Sequence, residues 1–553
     1  MGWDPTTADA GSKSIAVAFE QEPDEPVAMF TGSGSGLLIW QMYGVGPGKW
    51  DDKNNLVAYA AADVPSPGNG GISADGLTLT WKLRPCIFWS DGQPITSKDF
   101  LFTWKAMMDP ANAPVSRAGW TSIRGIDTPD NQTVVIHFKS IYPAWQTLFN
   151  IGPTSLGGLL PEHIFAGKTS LEKDPQIHQP SWAGGPFAIK EWVAGDHMTL
   201  VRNPNYFGTP AKLDSINIKF VPDAETGLAA LRTGDVDLIV NLAESDIEVL
   251  EALAPQGIRT RVAPTSDFEH LIFNLGITDS TVKDSTGKVI GNSDTAGFCP
   301  FQDIRVRKAI MLGIDRLSFI TNYLKEDQKA FTATLWPNSY WTNTSLQPYP
   351  YDPNQANQLL DAAGYPKGAD GIRLGTCNGK PVKFSIGLET TTAQRRVDNV
   401  LAIQADLKKI GIDITPNHIP AGTFFGTYSE GADMPKGKFD MAIFSSGFYP
   451  DPDPNGQWGC VNVPNKDNPA GLNLYHYCDA PLDALFAQGL ASSDPAVRKQ
   501  VYDQIQQYMY DNVLMVPLYA RANVFGYGSR LVFPPNSALT DVFWAAEDLD
   551  VNP

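Results

Sequence analysis

The sequence predicts a mixed α/β protein built from at least two lobes. The chain has 553 residues, whereas a single hydrophobic core usually stops growing at about 250–300 residues. Hydrophobic residues make up 42% and charged residues 18%, which is the composition of a globular protein. Segments with the period of strands alternate with segments with the period of helices in two separate blocks, and each block predicts a lobe with its own sheet.

The first block extends to about residue 240. Its alternating segments predict strands at 14–19, 77–83, 134–138, 213–221 and 236–240. Thr96 and Asp99 have the spacing of a capping box, so a helix is predicted to begin there and to end before Pro110. A helix predicted at 223–233 links the last two strands, and a strand–helix–strand unit is the building block of a parallel sheet.

The second block starts near residue 270. Its predicted strands are 270–275, 382–388, 439–444 and 513–519. Its predicted helices are about 303–325, 353–363, 396–410 and 480–511. We find no internal repeat and no low-complexity segment in the sequence.

Charge and hydropathy exclude several classes of partner. The formal net charge is −18 at pH 7, which argues against nucleic acid because phosphate binding needs clustered Lys and Arg. No stretch reaches the roughly 18 consecutive apolar residues of a membrane helix. The first residues lack the basic start and apolar core of a signal peptide. We therefore expect either a cytoplasmic protein or a mature form from which an export signal has been removed.

The five cysteines predict two disulfides. Cys299 and Cys377 lie in polar loops, and Cys460 and Cys478 bracket another; paired cysteines in such loops commonly form bridges. We predict the pairs Cys299–Cys377 and Cys460–Cys478 with Cys86 left over, the alternative being that all five are reduced, as in a cytoplasmic protein. The seven histidines are scattered and no CxxC pair occurs, so we expect no zinc site.

No catalytic or cofactor motif is complete in the sequence. The Gly-rich segments 32–36 and 44–49 form neither a nucleophile elbow, nor a dinucleotide fingerprint, nor a P-loop. Asp451 and Asp453 fit the first half of an EF-hand loop, but position 12 of that loop is Asn462 instead of Glu. A rigid turn made by Asp and Pro is the alternative to calcium there. We expect no enzyme activity, no cofactor and no metal.

A series of short blocks covers most of the chain. They are LTWKLRP (79–85), FWSDGQPITSKDF (88–100), GGPF (184–187), RNPNYF (202–207), LAALRTGDVD (228–237), DIRVRKAI (303–310), YDP (351–353), FDM (439–441), YPDPD (449–453) and PLY (517–519). These blocks, in this order, resemble the family 5 extracellular solute-binding proteins, the oligopeptide- and dipeptide-binding group.

The resemblance implies an α/β fold of the two-lobed periplasmic-binding-protein type (cluster C), with mixed sheets and an extra subdomain in lobe I. The expected boundaries are 1–55 and 185–268 for lobe I, 56–184 for its extra subdomain, 269–514 for lobe II and 515–553 for the return to lobe I. It also implies the solute-binding protein of an ABC importer, held in the periplasm or as a cell-surface lipoprotein.

Such a protein is expected to be a monomer that captures a small solute in the cleft between its lobes by hinge closure and delivers it to the permease subunits in the membrane. A ligand sensor that takes no part in transport is an alternative of a different class.

The resemblance implies a peptide ligand, although one position departs from the family pattern. In peptide-binding relatives a strand just before the Pro-Asp-Pro-Asp motif pairs with the peptide backbone, and an Asp two residues before the motif holds the α-ammonium. Here the strand ends at Ser445, Ser446 and Gly447, and the Asp position falls on Phe448. Because Phe cannot neutralise an ammonium, Asp451 or Asp453 would have to replace it.

An oligosaccharide is the alternative ligand, since family members that bind sugars stack aromatic rings on them. Rings suited to this are Phe30, Trp40, Trp182, Phe448 and Trp458, and core packing is the other explanation for each ring. The polar candidates are Asn274 and, as a weaker one, Tyr519. The expected ligand-binding residues are thus Phe30, Trp40, Trp182, Asn274, Ser445, Ser446, Gly447, Phe448, Trp458 and Tyr519.

Overall fold

The chain divides into two structural units, and two of its strands contribute residues to both units. The computed structural model describes residues 13–152, 156–318, 320–321, 335–337, 339–447, 451–532, 534–535 and 540–552. Unit 1 comprises 1–265, 449–452 and 522–553, and unit 2 comprises 266–448 and 453–521. The chain leaves unit 1 within the strand Ile258–Phe273, the first crossing strand, and returns within the strand Met515–Gly528, the second crossing strand. The lobe boundaries expected from the sequence, 268/269 and 514/515, lie within or at the start of these two strands.

Unit 1 is built on a mixed sheet. Its strands lie in the order Phe187–Val193, His197–Arg202, Ser215–Phe220, Ser14–Phe19 and Leu238–Leu242, followed by the unit 1 part of the second crossing strand. The strand Ser14–Phe19 is parallel to both of its neighbours. The predicted strand–helix–strand unit is therefore confirmed, with the first strand of the chain inserted between its two strands.

The helix of that unit, Ala224–Thr233, begins and ends as its sequence predicts. The Asp223 carboxylate accepts a hydrogen bond from the Thr226 amide at 2.7 Å, which satisfies one of the free N–H groups of the first turn. Gly234 ends the helix with φ +80°, a left-handed conformation that glycine adopts without strain.

A separate antiparallel sheet in unit 1 contains Thr78–Lys82, Thr133–Phe138 and Ile123–Asp127. Next to it, the helix Ser97–Met108 has the predicted capping box, in which the Asp99 carboxylate accepts from the Thr96 amide at 2.7 Å. The remaining short elements of unit 1 are the helices Gly34–Tyr43, Glu162–Phe165, Pro175–His178 and Ile247–Ala252 and the strands Gly48–Trp50, Leu56–Ala58, Leu531–Val532 and Asp550–Val551. The extra subdomain at 56–184 stays a prediction.

Unit 2 is also built on a mixed sheet. Its strands lie in the order Asp413–Ile419, Ser385–Thr391 and Met441–Ser446, followed by the unit 2 part of the first crossing strand. The first three strands are parallel, and the crossing strand is antiparallel to Met441–Ser446. The other elements are the hairpin strands Leu374–Cys377 and Lys380–Lys383 and the helices Ile304–Gly313, Arg316–Ser318, Pro353–Ala362, Gln394–Lys409, Ala421–Phe425, Asp433–Lys436, Pro454–Trp458, Ala480–Leu490 and Pro495–Asp511.

Two predicted helices of unit 2 are interrupted in the structure. The predicted helix 480–511 is in fact two helices, because Pro495 cannot continue the first one and the Asp494 carboxylate caps the second by accepting from the Ala496 amide at 2.8 Å. The helix predicted at about 303–325 is interrupted, because its first part ends at Gly313 and a second helix, Arg316–Ser318, follows. Position 319 and positions 322–325 of that prediction lie outside the described residues.

Both predicted disulfides are confirmed. Cys299 is bonded to Cys377 and Cys460 to Cys478, while Cys86 is exposed and carries no bridge. All four bonded cysteines belong to unit 2, so both bridges restrain that unit alone.

Candidate functional site

A polar site lies at one edge of the unit 2 sheet. The parallel strands Ser385–Thr391 and Met441–Ser446 both end there, and the antiparallel first crossing strand brings Glu269 opposite Ser445. Ligands of open α/β sheets bind outside the carboxyl ends of the strands. The predicted residues Ser445, Ser446 and Gly447 lie at this edge, and Ser445 and Gly447 are partly exposed.

Three arginines surround this edge, and we call Arg395, Arg396 and Arg521 the guanidinium cluster. Arg395 and Arg396 lie in the first turn of the helix Gln394–Lys409, directly after the strand Ser385–Thr391. Arg396 Nη1 donates to Thr391 Oγ1 at 2.8 Å. Its Nη2 lies 3.4 Å from Ser445 Oγ, and Arg521 Nη1 approaches the same hydroxyl oxygen at 3.3 Å. Ser445 is therefore the point at which two of the guanidiniums meet.

Glu269 supplies a buried negative charge beneath the guanidinium cluster. Its side chain is fully buried, and its Oε1 lies 3.5 Å from Arg396 Nη2. Burial by itself would raise the pKa of this carboxyl, but Arg396, Arg521 and Arg395 together lower it below its ordinary value. Asp267, two residues earlier, behaves in the opposite way, because burial raises its pKa more than Arg521 lowers it. Glu269 is therefore ionised at neutral pH.

A layer of rings packs on the other face of the sheet. Tyr475 Oη and His270 Nε2 are hydrogen-bonded at 2.8 Å, and burial lowers the pKa of His270 to about 4, so this imidazole is neutral at pH 7. Trp458, a predicted sugar-stacking ring, stacks instead on Tyr475 with centroids 3.5 Å apart and is 1% exposed. The Trp458 ring therefore packs within the core of unit 2.

The two predicted polar contacts differ in what surrounds them. Asn274 is completely buried; its Nδ2 donates to the carbonyl oxygens of Gly437 and Phe439 at 2.9 Å each, and its Oδ1 accepts from the Gly276 amide at 2.9 Å. These bonds give the Asn274 amide a structural use, so we leave it out of the proposed site. Tyr519 accepts from Asn399 Nδ2 at 3.3 Å and lies two residues before Arg521 on the second crossing strand, which puts it beside the guanidinium cluster.

The predicted aromatic residues of unit 1 lie in its core. Trp40 and Trp182 are fully buried and meet edge to face with centroids 6.1 Å apart. Their indole N–H groups donate to the carbonyl oxygens of Gly157 at 3.0 Å and Gln176 at 3.1 Å. Phe30 is 8% exposed and belongs to the same core. Core packing, the second explanation offered by the sequence, thus describes these three rings.

The segment that resembles half of a calcium loop forms a turn. Asp453 Oδ1 accepts from the Asn455 amide at 3.0 Å and caps the short helix Pro454–Trp458, which is the Asp/Pro turn considered in the sequence. Across the residues that the structure describes, no group of three His, Cys, Asp or Glu side chains is arranged to hold a metal ion. Phe448 lies outside the described residues.

Sequence reasoning missed Glu269 and the guanidinium cluster. A signal for them exists, since Glu269 lies just before the apolar run 271–273, and Arg395-Arg396 is a doubled cation at the start of a predicted helix. Arg521 follows the block that ends at Tyr519. Each feature is unremarkable alone, and only the order of strands in the sheet brings them together.

Solved structures identify the class of fold. The oligopeptide-binding protein AppA from Bacillus subtilis, in complex with a nonapeptide, matches with a TM-score of 0.81 over 98% of this chain and 99% of that chain at 21% identity. NikZ from Campylobacter jejuni, in complex with Ni(L-His), matches with a TM-score of 0.80 over 98% and 100% of the two chains, also at 21% identity. The fold is that of the two-lobed periplasmic binding proteins, as the sequence predicts.

The sequence profile of the bacterial extracellular solute-binding proteins, family 5 (middle part), matches residues 62–468. The chain therefore belongs to this family of solute-binding proteins. Protein XP55 of Streptomyces lividans is 25% identical over 516 residues, which cover 91% of this chain and 82% of the relative. The AppA sequence is 24% identical over 464 residues, or 83% and 77% of the two chains. None of the helices in the described part of the chain has the length and apolar character needed to cross a bilayer.

Proposed function

We propose that this protein captures a peptide outside the cytoplasm and delivers it, chemically unchanged, to the membrane permease of an ABC importer. The family match over residues 62–468 carries this proposal. The names of relatives support the peptide as ligand, because AppA is an oligopeptide-binding protein both as a curated relative and as a solved structure. The protein acts as a monomer, either in the periplasm or anchored at the cell surface.

The unit 2 part of the binding site consists of the sheet edge and its cations. Ser445, Gly447, Arg396 and Arg521 are partly exposed there, so a ligand can reach them, and Tyr519 lies beside them. An extended peptide supplies backbone N–H and C=O groups to such a strand end and a charged terminus to such a cluster.

The oligosaccharide alternative loses support from the packing of the rings. Stacking on a sugar needs an aromatic face that is open to the ligand. Trp40 and Trp182 are fully buried in unit 1, and Trp458 is stacked on Tyr475 in unit 2. Peptide remains the first candidate, and oligosaccharide becomes one outcome of the test.

The direct test is thermal unfolding against two matched panels, short peptides and short oligosaccharides, at equal concentrations. A ligand that binds only the folded protein at 100 times its Kd stabilises it by about 2.7 kcal/mol, which gives a measurable rise in Tm. We expect a rise with peptides and none with sugars. A rise with sugars alone would overturn the peptide proposal. Mass spectrometry of the recovered ligand checks that its mass is unchanged, since turnover would indicate an enzyme.

Transport and sensing are separated in the cell. Deletion of the gene is expected to abolish uptake of the peptides that raise the Tm, measured with labelled peptide. Restoration of uptake by the wild-type gene is the control. Unchanged uptake together with a lost response to the same peptides would assign the protein to the sensors instead.

A further inference from the structure

The hydroxyl oxygen of Ser445 accepts hydrogen bonds from two guanidiniums. Arg396 Nη2 lies 3.4 Å from Ser445 Oγ, and Arg521 Nη1 lies 3.3 Å from it. A guanidinium has N–H donors and no acceptor, whereas a hydroxyl group has two lone pairs and one proton. The two arginines therefore use the lone pairs of this oxygen, and neither of them can accept its proton.

The proton of the Ser445 hydroxyl has no acceptor among the described residues, since the two contacts with arginine are the hydrogen bonds that Ser445 Oγ makes. Thr390, on the neighbouring strand, shows the contrast, because its hydroxyl donates to the Ile443 carbonyl oxygen at 2.8 Å. Thr390 is fully buried, while Ser445 is partly exposed. A ligand can therefore reach the Ser445 hydroxyl, and the group that this hydroxyl offers to a ligand is a donor.

The direction of this O–H bond is set by groups that are themselves held in place. Arg396 Nη1 donates to Thr391 Oγ1 at 2.8 Å, and its Nη2 lies 3.5 Å from Oε1 of the buried Glu269. Arg521 lies on the second crossing strand. Both guanidiniums present N–H protons to the hydroxyl oxygen, so the hydroxyl proton points away from them. Because this direction is fixed before a ligand arrives, binding does not have to order the hydroxyl.

The hydroxyl lies at the carboxyl end of the parallel strands of unit 2. Among the described pairs, the ladder between Ser385–Thr391 and Met441–Ser446 ends at Glu389 and Ala442, three residues before Ser445. Ligands of open α/β sheets bind outside the carboxyl ends of the strands. The donor is therefore placed where a ligand of unit 2 is expected.

A fixed donor favours one kind of ligand atom over the other. A ligand oxygen at hydrogen-bond distance from Ser445 gains an O–H···O bond. A ligand N–H in the same place would face the hydroxyl proton and stay unpaired, which costs more than one hydrogen bond contributes. The C=O and N–H groups of an extended peptide point alternately to its two sides from one residue to the next. A donor at a fixed point thus selects the register in which a carbonyl group faces it.

We propose that Ser445 is a specificity-determining residue, whose hydroxyl donates to a backbone carbonyl oxygen of the bound peptide and fixes the register in which the peptide lies against unit 2. Arg396 and Arg521 act as positioning residues for that hydroxyl. The inference rests on the proposed function and deepens it, because it names the peptide group that the site recognises. Every peptide has backbone carbonyl groups, so this contact selects a register and not a side chain.

The test is a double-mutant cycle between Ser445 and the carbonyl groups of one peptide. A short peptide that raises the Tm is prepared in its normal form and in a set in which one backbone oxygen at a time is replaced by sulfur, a weaker acceptor that leaves the N–H groups in place. Affinities for the wild type and for Ser445→Ala are measured by calorimetry on the full chain. A coupling between the two changes isolates their direct contact.

At one carbonyl, we expect the sulfur replacement to weaken binding to the wild type by about 3- to 10-fold, the net contribution of one hydrogen bond. Ser445→Ala should weaken binding of the normal peptide by a similar factor and should show no further loss with that one replacement. At the other carbonyls the two changes should add. Ser385→Ala, at an exposed serine on the neighbouring strand, is the matched control and should leave all affinities unchanged.

Additive effects at every carbonyl would overturn the inference, because a serine that only separates the two arginines would weaken all forms of the peptide alike. That result would leave the proposed function intact, since the peptides would still bind. If no peptide binds the wild type, the proposed function fails and the inference fails with it. The melting curve of Ser445→Ala shows whether the variant has folded.

Discussion

Asn274 shows at the scale of one residue why a polar side chain after a buried strand need not contact a ligand. Its position in the sequence, directly after the apolar run 271–273, is equally suited to a binding site and to a structural role. Only the positions of Gly437 and Phe439, far away in sequence, decide between the two. Its three internal hydrogen bonds show that the Asn274 side chain stabilises the fold.

The variant Asn274→Ala tests this assignment. It leaves two carbonyl groups and one amide buried without their partner, so we expect the free energy of unfolding to fall by about 2–4 kcal/mol, while peptide affinity stays unchanged. Urea denaturation and calorimetry measure the two quantities. Asn131→Ala, at an exposed position, is the control and should shift stability by less than about 0.5 kcal/mol. A loss of affinity without a loss of stability would return Asn274 to the binding site.

Glu25 gives a pH-dependent prediction in unit 1. Burial, and then the neighbouring Asp24, raise the pKa of its carboxyl to about 8 from an ordinary value of 4.5. The folded state therefore holds the proton more tightly than the unfolded state, and stability declines as the pH rises from about 4.5 to about 8. Glu25→Gln keeps the neutral form, so its Tm should exceed that of the wild type at pH 8.5 and approach it at pH 4.5. A wild type that is the more stable at pH 8.5 would contradict this.

At the scale of the secondary-structure element, hydrophobic periodicity predicted the positions of helices and strands well, but predicted less well where they begin and end. The helix predicted at 396–410 is Gln394–Lys409, and the strand predicted at 439–444 is Met441–Ser446. The first crossing strand begins at Ile258, twelve residues before the predicted start at 270. The two parts of this strand belong to different units and do not share one buried face, so apolar and polar residues do not alternate regularly along it. Pro264, within the strand, is in addition a residue that is typical of turns in a sequence.

The two disulfides should differ in what they contribute to unit 2. Cys299–Cys377 closes a loop of 78 residues and Cys460–Cys478 a loop of 18. Loop-closure entropy then predicts losses of about 4.5 and about 3 kcal/mol when each pair is replaced by serine. Urea denaturation of the two double variants measures the difference, with Cys86→Ser as the control. The reverse order would show that residual structure in the reduced chain, and not loop length, sets the effect.

At the scale of the whole molecule, the sequence was sufficient for the fold class and the family. Short blocks such as DIRVRKAI build helices and turns, and they identify the family through its scaffold. The guanidinium cluster could not be predicted in the same way. Arg396 and Arg521 are distant in sequence, and they meet at Ser445 only because of the order of strands in the unit 2 sheet.

The two crossing strands also set an order for the synthesis of the chain. The unit 1 sheet includes residues 524–527 of the second crossing strand, which pair with Leu238, Ile239 and Leu242. A chain that emerges from the ribosome amino end first, or is threaded through an export channel, thus releases every residue of unit 2 before the last strand of the unit 1 sheet. Unit 1 is expected to begin to emerge first and to be completed last, so a released chain that ends at residue 521 should resist protease in unit 2 and be cleaved in unit 1.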